Sequence, residues 1–312
     1  MLTTETKQQI VADLEMWMQK HSMSAVKVAE KAGTNQSYLS MMRAGKFTMP
    51  VGDGTVEIAD KYFHAIAELI GKKLRKEYWE TVETPQLMRI LYTLENAKLQ
   101  GLTNAVIGET GSGKSFVVEI FSSKHPLDVF VVKVGSLDNI ADLLEKTCEK
   151  INIPTEKSKS KTLRAIATKM QKMKADGHSP MIMFDEAEYM KLPSLCNMKE
   201  LYDALIGKCS IVLFGTDQLL INLERLRKKN KTGMPQFFRR IKYGIIILPS
   251  IDRTYKQFTA GLNPDVVKFV RANCDNYGEL HDVLVPVFRE ADNTGEPVTE
   301  HMIRRMLNMP AL

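Results

Sequence analysis

Cysteine is scarce in this 312-residue chain: four occur, Cys148, Cys196, Cys209 and Cys274, and none forms a CxxC pair. The six histidines do not cluster either. That pattern argues against a structural zinc site or a disulfide scaffold and for a reducing, intracellular setting. No apolar run approaches the roughly 20 residues that cross a bilayer, and Met1–Ile10 has no signal-peptide pattern. No membrane partner is therefore expected. Neither sign of charge dominates: 43 Lys and Arg against 37 Asp and Glu leave +6, compatible with nucleic acid without requiring it. What remains is ordinary globular composition, 44% hydrophobic and 26% charged, which excludes disordered and collagen-like chains. At roughly 100–200 residues per domain the length suits two or three domains.

Three regions and a linker follow from the pattern. Residues 1–73 read as a helical module with a helix-turn-helix, and residues 74–85 are charged, end at Pro85 and suit a linker. Over residues 86–250, short β-branched runs alternate with amphipathic helices: Thr103–Ile107, Val129–Val134, Pro180–Phe184, Ser210–Phe214 and Tyr243–Leu248. Such alternation predicts an α/β core, a five-stranded parallel sheet with helices on both faces. Residues 251–312 read as a small helical domain, with helices over Pro264–Asn273, Gly278–Glu290 and Glu300–Leu307.

Between the first predicted strand and the next helix lies Gly108-Glu109-Thr110-Gly111-Ser112-Gly113-Lys114-Ser115, followed by Phe116. It satisfies G-x-x-x-x-G-K-[ST] in the strand–loop–helix context that the motif needs. Its glycines let backbone amides turn inward around anionic oxygens, and the helix adds its N-terminus. Lys114 suits the β- and γ-phosphates of ATP, and the Ser115 hydroxyl suits Mg²⁺. A partner motif ends the third strand: Met181-Ile-Met-Phe-Asp185-Glu186 runs four apolar residues into two carboxylates at the edge where α/β sheets bind ligands. Asp185 is the second expected Mg²⁺ ligand, and Glu186 the residue that orients the attacking water. The next strand ends at Phe214-Gly215-Thr216-Asp217, where Thr216, with Asp217 as substitute, is expected to meet the γ-phosphate or the water. Thr216 reads equally as a helix N-cap.

Eight positive charges and no acid lie between Arg225 and Lys242. Lys228, Lys229 and Lys231, with Gly233 and Pro235 after them, look like a mobile loop for DNA phosphates. Arg239 and Arg240 precede the last strand, where an arginine can cross a subunit boundary to a neighbour's γ-phosphate. A second basic run, Lys157, Lys159, Lys161 and Arg164, opens an amphipathic helix and is another candidate for DNA contact. In the N-terminal module, Ser24–Ser40 reads as helix, glycine turn at Gly33, helix. Gln36, Ser37, Ser40 and Arg43, with Asn35, are of the types that bond to base edges and phosphates. That second helix is nearly neutral, so weak or loosely specific binding is expected.

Taken together, these residues resemble the bacteriophage Mu transposition protein B (MuB) family of AAA+ ATPases. The resemblance runs from the helix-turn-helix through Glu83-Thr84-Pro85-Gln86, the phosphate loop, Phe184-Asp-Glu-Ala-Glu188, Val212-Leu-Phe-Gly-Thr216 and Phe237-Phe-Arg-Arg-Ile241. It implies an ATP-dependent binder of double-stranded DNA, indifferent to sequence, that forms helical homo-oligomeric filaments and delivers target DNA to a transposase. It also implies a bacterial cytoplasmic setting on the nucleoid and prefers Arg240 over Arg239 as the arginine that acts in trans. One departure stands out. AAA+ lids often carry Gly-x-x-Arg, whereas this chain reads Gly278-Glu-Leu-His281, and a neutral imidazole does not reproduce a guanidinium fork. His281 therefore reads first as a lid-surface histidine. Two rival readings remain at this level: a helicase loader of the replication-initiator type, and an ATP-switched helix-turn-helix transcription regulator.

Overall fold

In the computed structural model, residues 2–51, 54–72 and 78–310 are described. The chain divides into two compact units, Met1–Glu77 and Tyr78–Leu312.

The first unit contains α1 (Thr4–Lys20), α2 (Ala25–Lys31), α3 (Gln36–Arg43), β1 (Thr48–Val51), β2 (Gly54–Glu57) and α4 (Asp60–Leu69). Thr3, Ser24 and Asn35 start the first three helices, each side chain accepting from a backbone N–H two or three residues on. Gly33, at φ +58°, makes the turn between α2 and α3. Val28, Ala29, Leu39 and Met42 are buried there with Ile10, Leu14, Phe63 and Ile66. The expected helix pair is present, but the unit is not all helical. Thr48–Glu57 forms an antiparallel hairpin with Met49 opposite Val56. Its signal was Asp53-Gly54 between β-branched residues, a turn dipeptide that favours strand reversal; Gly52 and Asp53 themselves lie outside the described residues.

The second unit runs α5 (Pro85–Gln100), β3 (Thr103–Ile107), α6 (Lys114–Lys124), β4 (Val129–Lys133), α7 (Ile140–Lys150), α8 (Lys159–Ala175), β5 (Met181–Asp185), α9 (Leu192–Leu205), β6 (Ser210–Gly215), α10 (Asp217–Lys228), α11 (Met234–Ile241) and β7 (Ile245–Ile247). Then come α12 (Pro264–Asn273), α13 (Tyr277–Thr294) and α14 (Glu300–Met306). All five strands are parallel, in the order β4-β5-β6-β3-β7. Period-two alternation sorts the strand side chains between two apolar layers. Val106, Met181, Met183, Val212 and Phe214 pack with α5 and α6. Ala105, Ile107, Ile182, Phe184, Ile211 and Leu213 pack with α7 to α11 on the opposite face. Helices on both faces bury the central strands β5 and β6 completely, as their continuous apolar runs require, while edge strand β7 stays partly exposed, Ile247 at 64%. A separate cluster of Ile251, Tyr255, Val266, Phe269, Leu280, Leu284, Met302 and Ile303 holds the lid, α12 to α14.

Core and lid nevertheless belong to one compact unit. Part of the reason lies in the stretch read as linker. Residues 74–77 lie outside the described residues, but Trp79 stacks on Phe258 of the lid with ring centroids 5.0 Å apart. Thr84 caps α5 by accepting from Leu87 N. Composition alone could not reveal this, because a charged segment and a packed aromatic share it. Among the described residues, no helix is long and apolar enough to cross a membrane.

Candidate active site

The phosphate loop joins β3 to α6 across the sheet's C-terminal edge. Gly111 and Gly113 take φ of +71° and +86°, which turns the loop around Lys114. The Lys114 ammonium donates to the carbonyl oxygens of Gly108 and Glu109, both at 2.8 Å. Burial pulls its pKa below the ordinary lysine value, against the opposing pull of Glu188, Asp185, Asp217 and Glu109. Ser112 is buried, and its hydroxyl has no hydrogen-bond partner among the described residues. A buried hydroxyl with no partner, on a loop turned by two positive-φ glycines, is available to donate to an acceptor-rich group.

Strand order brings the other expected residues to the same edge. Asp185 ends β5, buried, and its Oδ1 accepts from Glu186 N at 3.0 Å. Glu186 has φ +57°, a strained setting for a non-glycine residue, and its carboxylate pairs with Lys133 Nζ at 3.1 Å. That pairing raises the Lys133 pKa above its ordinary value. Gly108 N donates to the Gly215 carbonyl at 3.1 Å, so the tip of β6 is bonded to the start of the loop. Thr216 stands at the N-cap position of α10 but makes no side-chain cap bond, so its hydroxyl is not spent on the helix.

The lid closes one side of the loop. Tyr277 N donates to the Gly111 carbonyl at 3.1 Å, and a Cβ on Gly111 would fall 2.1 Å from Asn276 Oδ1. Arg253, in the segment after β7, donates to Glu109 Oε2 at 2.7 Å and holds that carboxyl below the usual carboxylate range. Gln86 ties the same corner together: its amide donates to the carbonyls of Pro249 and Ser250, and Tyr277 Oη donates to its oxygen. A cavity of about 380 Å³ results, lined by Gly111–Val117 on one side and by Trp79, Phe258, Tyr277 and His281 on the other. His281 thus borders the cavity, its ring set edge-on to Trp79 with centroids 5.2 Å apart.

Sequence reasoning missed Trp79, Phe258, Tyr277, Glu188, Lys133 and Arg253. Only Trp79 carried a usable signal, as one of two tryptophans in the chain.

The remaining candidates lie elsewhere. Arg240 sits on α11, bonded to Asp203 of α9 and stacked over the Tyr202 ring at 5.0 Å. Lys157, Lys159, Lys161 and Arg164 are all exposed around the start of α8. Lys228, Lys229 and Lys231 are exposed too. Helix α10 runs through Lys228, and Lys229 and Lys231 lie in the short connection to α11, where Lys231 N donates to Leu226 O and Met234 N to Lys231 O. Gly233, in the left-handed region, and Pro235 open α11 there. In the first unit, Gln36, Ser37 and Ser40 are exposed on α3. Asn35 is occupied as the N-cap, and Arg43 pairs with Glu15 of α1.

Residues 100–223 match the AAA domain family. That stretch is similar to AAA domains, and the chain as a whole resembles a Mu-type transposition protein B. The Mu-like prophage FluMu DNA transposition protein B of Haemophilus influenzae is 23% identical over 221 residues, 69% of this chain and 72% of that protein. Among solved structures, Cdc6p from Pyrobaculum aerophilum aligns with a TM-score of 0.56 at 12% identity, covering 74% of this chain and 68% of that one. The Aeropyrum pernix ORC2 protein aligns with a TM-score of 0.52 at 15% identity, covering 77% and 70%. At those identities the likeness is one of fold. The match over residues 100–223 and the shared fold both place the phosphate loop within the AAA-like part of the chain.

Proposed function

We propose that this protein binds and hydrolyses ATP, and uses the bound state to assemble on duplex DNA of any sequence and present it to a transposase. The observation that carries the nucleotide half is a cavity that joins the Gly111–Ser115 loop to an aromatic box. The loop amides of Gly111–Ser115 and the Lys114 ammonium bind the β- and γ-phosphates. Trp79, Phe258, Tyr277 and His281 take the flat, apolar base. The residues also fit a divalent cation: Ser115 and Asp185 supply the hard oxygen ligands that Mg²⁺ prefers, and Mg²⁺ would neutralise charge on the β- and γ-oxygens. Glu186 orients the water that attacks phosphorus, Thr216 holds the γ-phosphate side, and the products are ADP and phosphate.

Similarity to a transposition protein B supports the DNA half, as do the exposed bases at Lys157, Lys159, Lys161, Arg164, Lys228, Lys229 and Lys231. Phosphate contacts of this kind carry no sequence information, which suits a target-DNA binder in the bacterial cytoplasm. Gln36, Ser37 and Ser40 offer a second contact from the N-terminal unit. Arg240 is the residue we assign to a neighbouring copy's γ-phosphate, which makes ATP the glue of a filament.

The test is electron microscopy of the protein on random-sequence duplex at fixed salt, with no nucleotide, ADP, ATP or a non-hydrolysable ATP analogue. Filaments are expected with ATP or the analogue only, on every sequence, and Lys114→Ala and Arg240→Ala should each abolish them. Binding that ignores nucleotide, or settles on one sequence, rejects the reading.

A further inference from the structure

After Asp185 the backbone passes through Glu186 in the left-handed region and into a 3₁₀ turn, Ala187–Tyr189. That reversal sends two glutamates to opposite sides of β5. Glu186 reaches Lys133, the last residue of β4. Glu188 goes the other way: its Oε2 lies 3.1 Å from where a Cβ on Gly215 would stand, at the end of β6.

The two sides are not equivalent. In the sheet, β6 stands between β5 and β3, and β3 leads into the phosphate loop, whereas β4 is an outer strand. Glu188 is therefore the glutamate on the loop side of Asp185. Its turn packs against both β6 and α10. Its Oε2 is buried and has no hydrogen-bond partner among the described residues. A carboxylate oxygen out of water without a donor is costly unless a positive charge stands near. Lys114 is that charge, and Glu188 leads the carboxylates acting on it, ahead of Asp185, Asp217 and Glu109. The same glutamate touches the strand tip whose Gly215 carbonyl receives Gly108 N, one residue before the uncommitted Thr216 hydroxyl.

We propose that Glu188 is a positioning residue of the nucleotide site, setting the tip of β6, and with it Thr216, against the phosphate loop. The proposal rests on the ATPase reading above and adds to it a residue that acts through another. Glu188 binds no phosphate, so its loss leaves ATP affinity in place and slows the chemical step. Because it acts through Thr216, removing it costs nothing further once the Thr216 hydroxyl is gone.

A double-mutant cycle on the full chain decides the point. Glu188→Gln keeps the shape and removes the charge; Thr216→Val keeps the shape and removes the hydroxyl. Each is expected to lower kcat about tenfold with KM for ATP within about threefold, and the double variant to be no slower than the slower single. Should Glu188→Gln not fold, Glu188→Asp serves in its place, since it keeps the charge and withdraws the oxygen by one methylene. A merely structural role gives losses that multiply, toward about a hundredfold, and overturns the proposal alone. A wild type that hydrolyses no ATP overturns the proposal together with the reading it rests on.

Discussion

Lys133 and Glu186 form an ion pair of 3.1 Å between the ends of adjacent strands, β4 and β5. The lysine side chain is 72% exposed and the glutamate 35% exposed. The residue assigned to orient the attacking water is therefore held by an ammonium at the rim of the site. Such a contact is weak in water and screened by salt.

Replacing Lys133 by methionine is expected to free Glu186 and raise basal ATP turnover about threefold, a size set by exposed ion pairs. Raising the salt should lift the wild type toward the variant and leave the variant unmoved. Steady-state phosphate release in both proteins across a salt series checks this. A variant slower than the wild type at every salt would show that the pair supports catalysis instead.

Lys114→Ala should cut the stabilisation that ATP confers by half or more. A ligand that binds only the folded state at a hundred times its Kd stabilises by about 2.7 kcal/mol. Loss of a charge-assisted contact to phosphate lowers affinity at least about tenfold. The ATP-dependent rise in melting temperature measures both, and an undiminished rise in the variant contradicts the assignment of the loop.

Gly111 and Gly113 both have positive φ, yet they differ in what surrounds them. A Cβ on Gly113 meets nothing within 4 Å, whereas one on Gly111 meets Asn276 Oδ1 at 2.1 Å and Asn276 Cβ at 2.7 Å. Gly113→Ala is expected to cost about 1 kcal/mol for the backbone alone. Gly111→Ala should cost about 3 kcal/mol, because Asn276 is also the N-cap of α13 and cannot yield without uncapping the lid helix. Chemical denaturation of the two variants compares them, and Asn276→Ala added to Gly111→Ala should recover part of the loss. Equal costs at both glycines would falsify the docking of the lid on the loop.

The lid should fail in alkali. Burial raises the Cys274 thiol from its ordinary 9.0 to about 11. Burial likewise pushes Tyr255, whose hydroxyl donates to the Cys274 carbonyl at 2.8 Å, up to about 12. A folded pKa above the unfolded one means that the stabilising contribution is whole below the unfolded value and is lost as pH rises through the folded value. Melting temperature is thus expected to hold up to about pH 9 and to fall between pH 9 and about pH 12, first through Cys274 and then through Tyr255. Cys274→Ala, which has nothing to ionise, should flatten that fall; an unchanged slope assigns the alkaline loss elsewhere.

Much of this protein is set by short-range pattern. Short β-branched apolar runs that alternate with amphipathic helices suit a covered parallel sheet, so the five strands were legible one by one. Gly111, Gly113 and Lys114 announce an anion cradle because few other loops need that backbone. Asp185 and Glu186 announce the strand's chemical end. What local pattern could not decide is which distant residues close the site. Trp79 reads as linker until it stacks on Phe258, and Glu188 reads as one more surface acid until the left-handed turn at Glu186 sends it toward β6. Arg240 carries no mark in the sequence of its bond to Asp203 on another helix. Local propensity and spacing act over a few residues, and the sequence alone determines them. Strand order and the docking of the lid bring together groups more than a hundred residues apart, such as Glu109 and Arg253, and only the folded chain decides them.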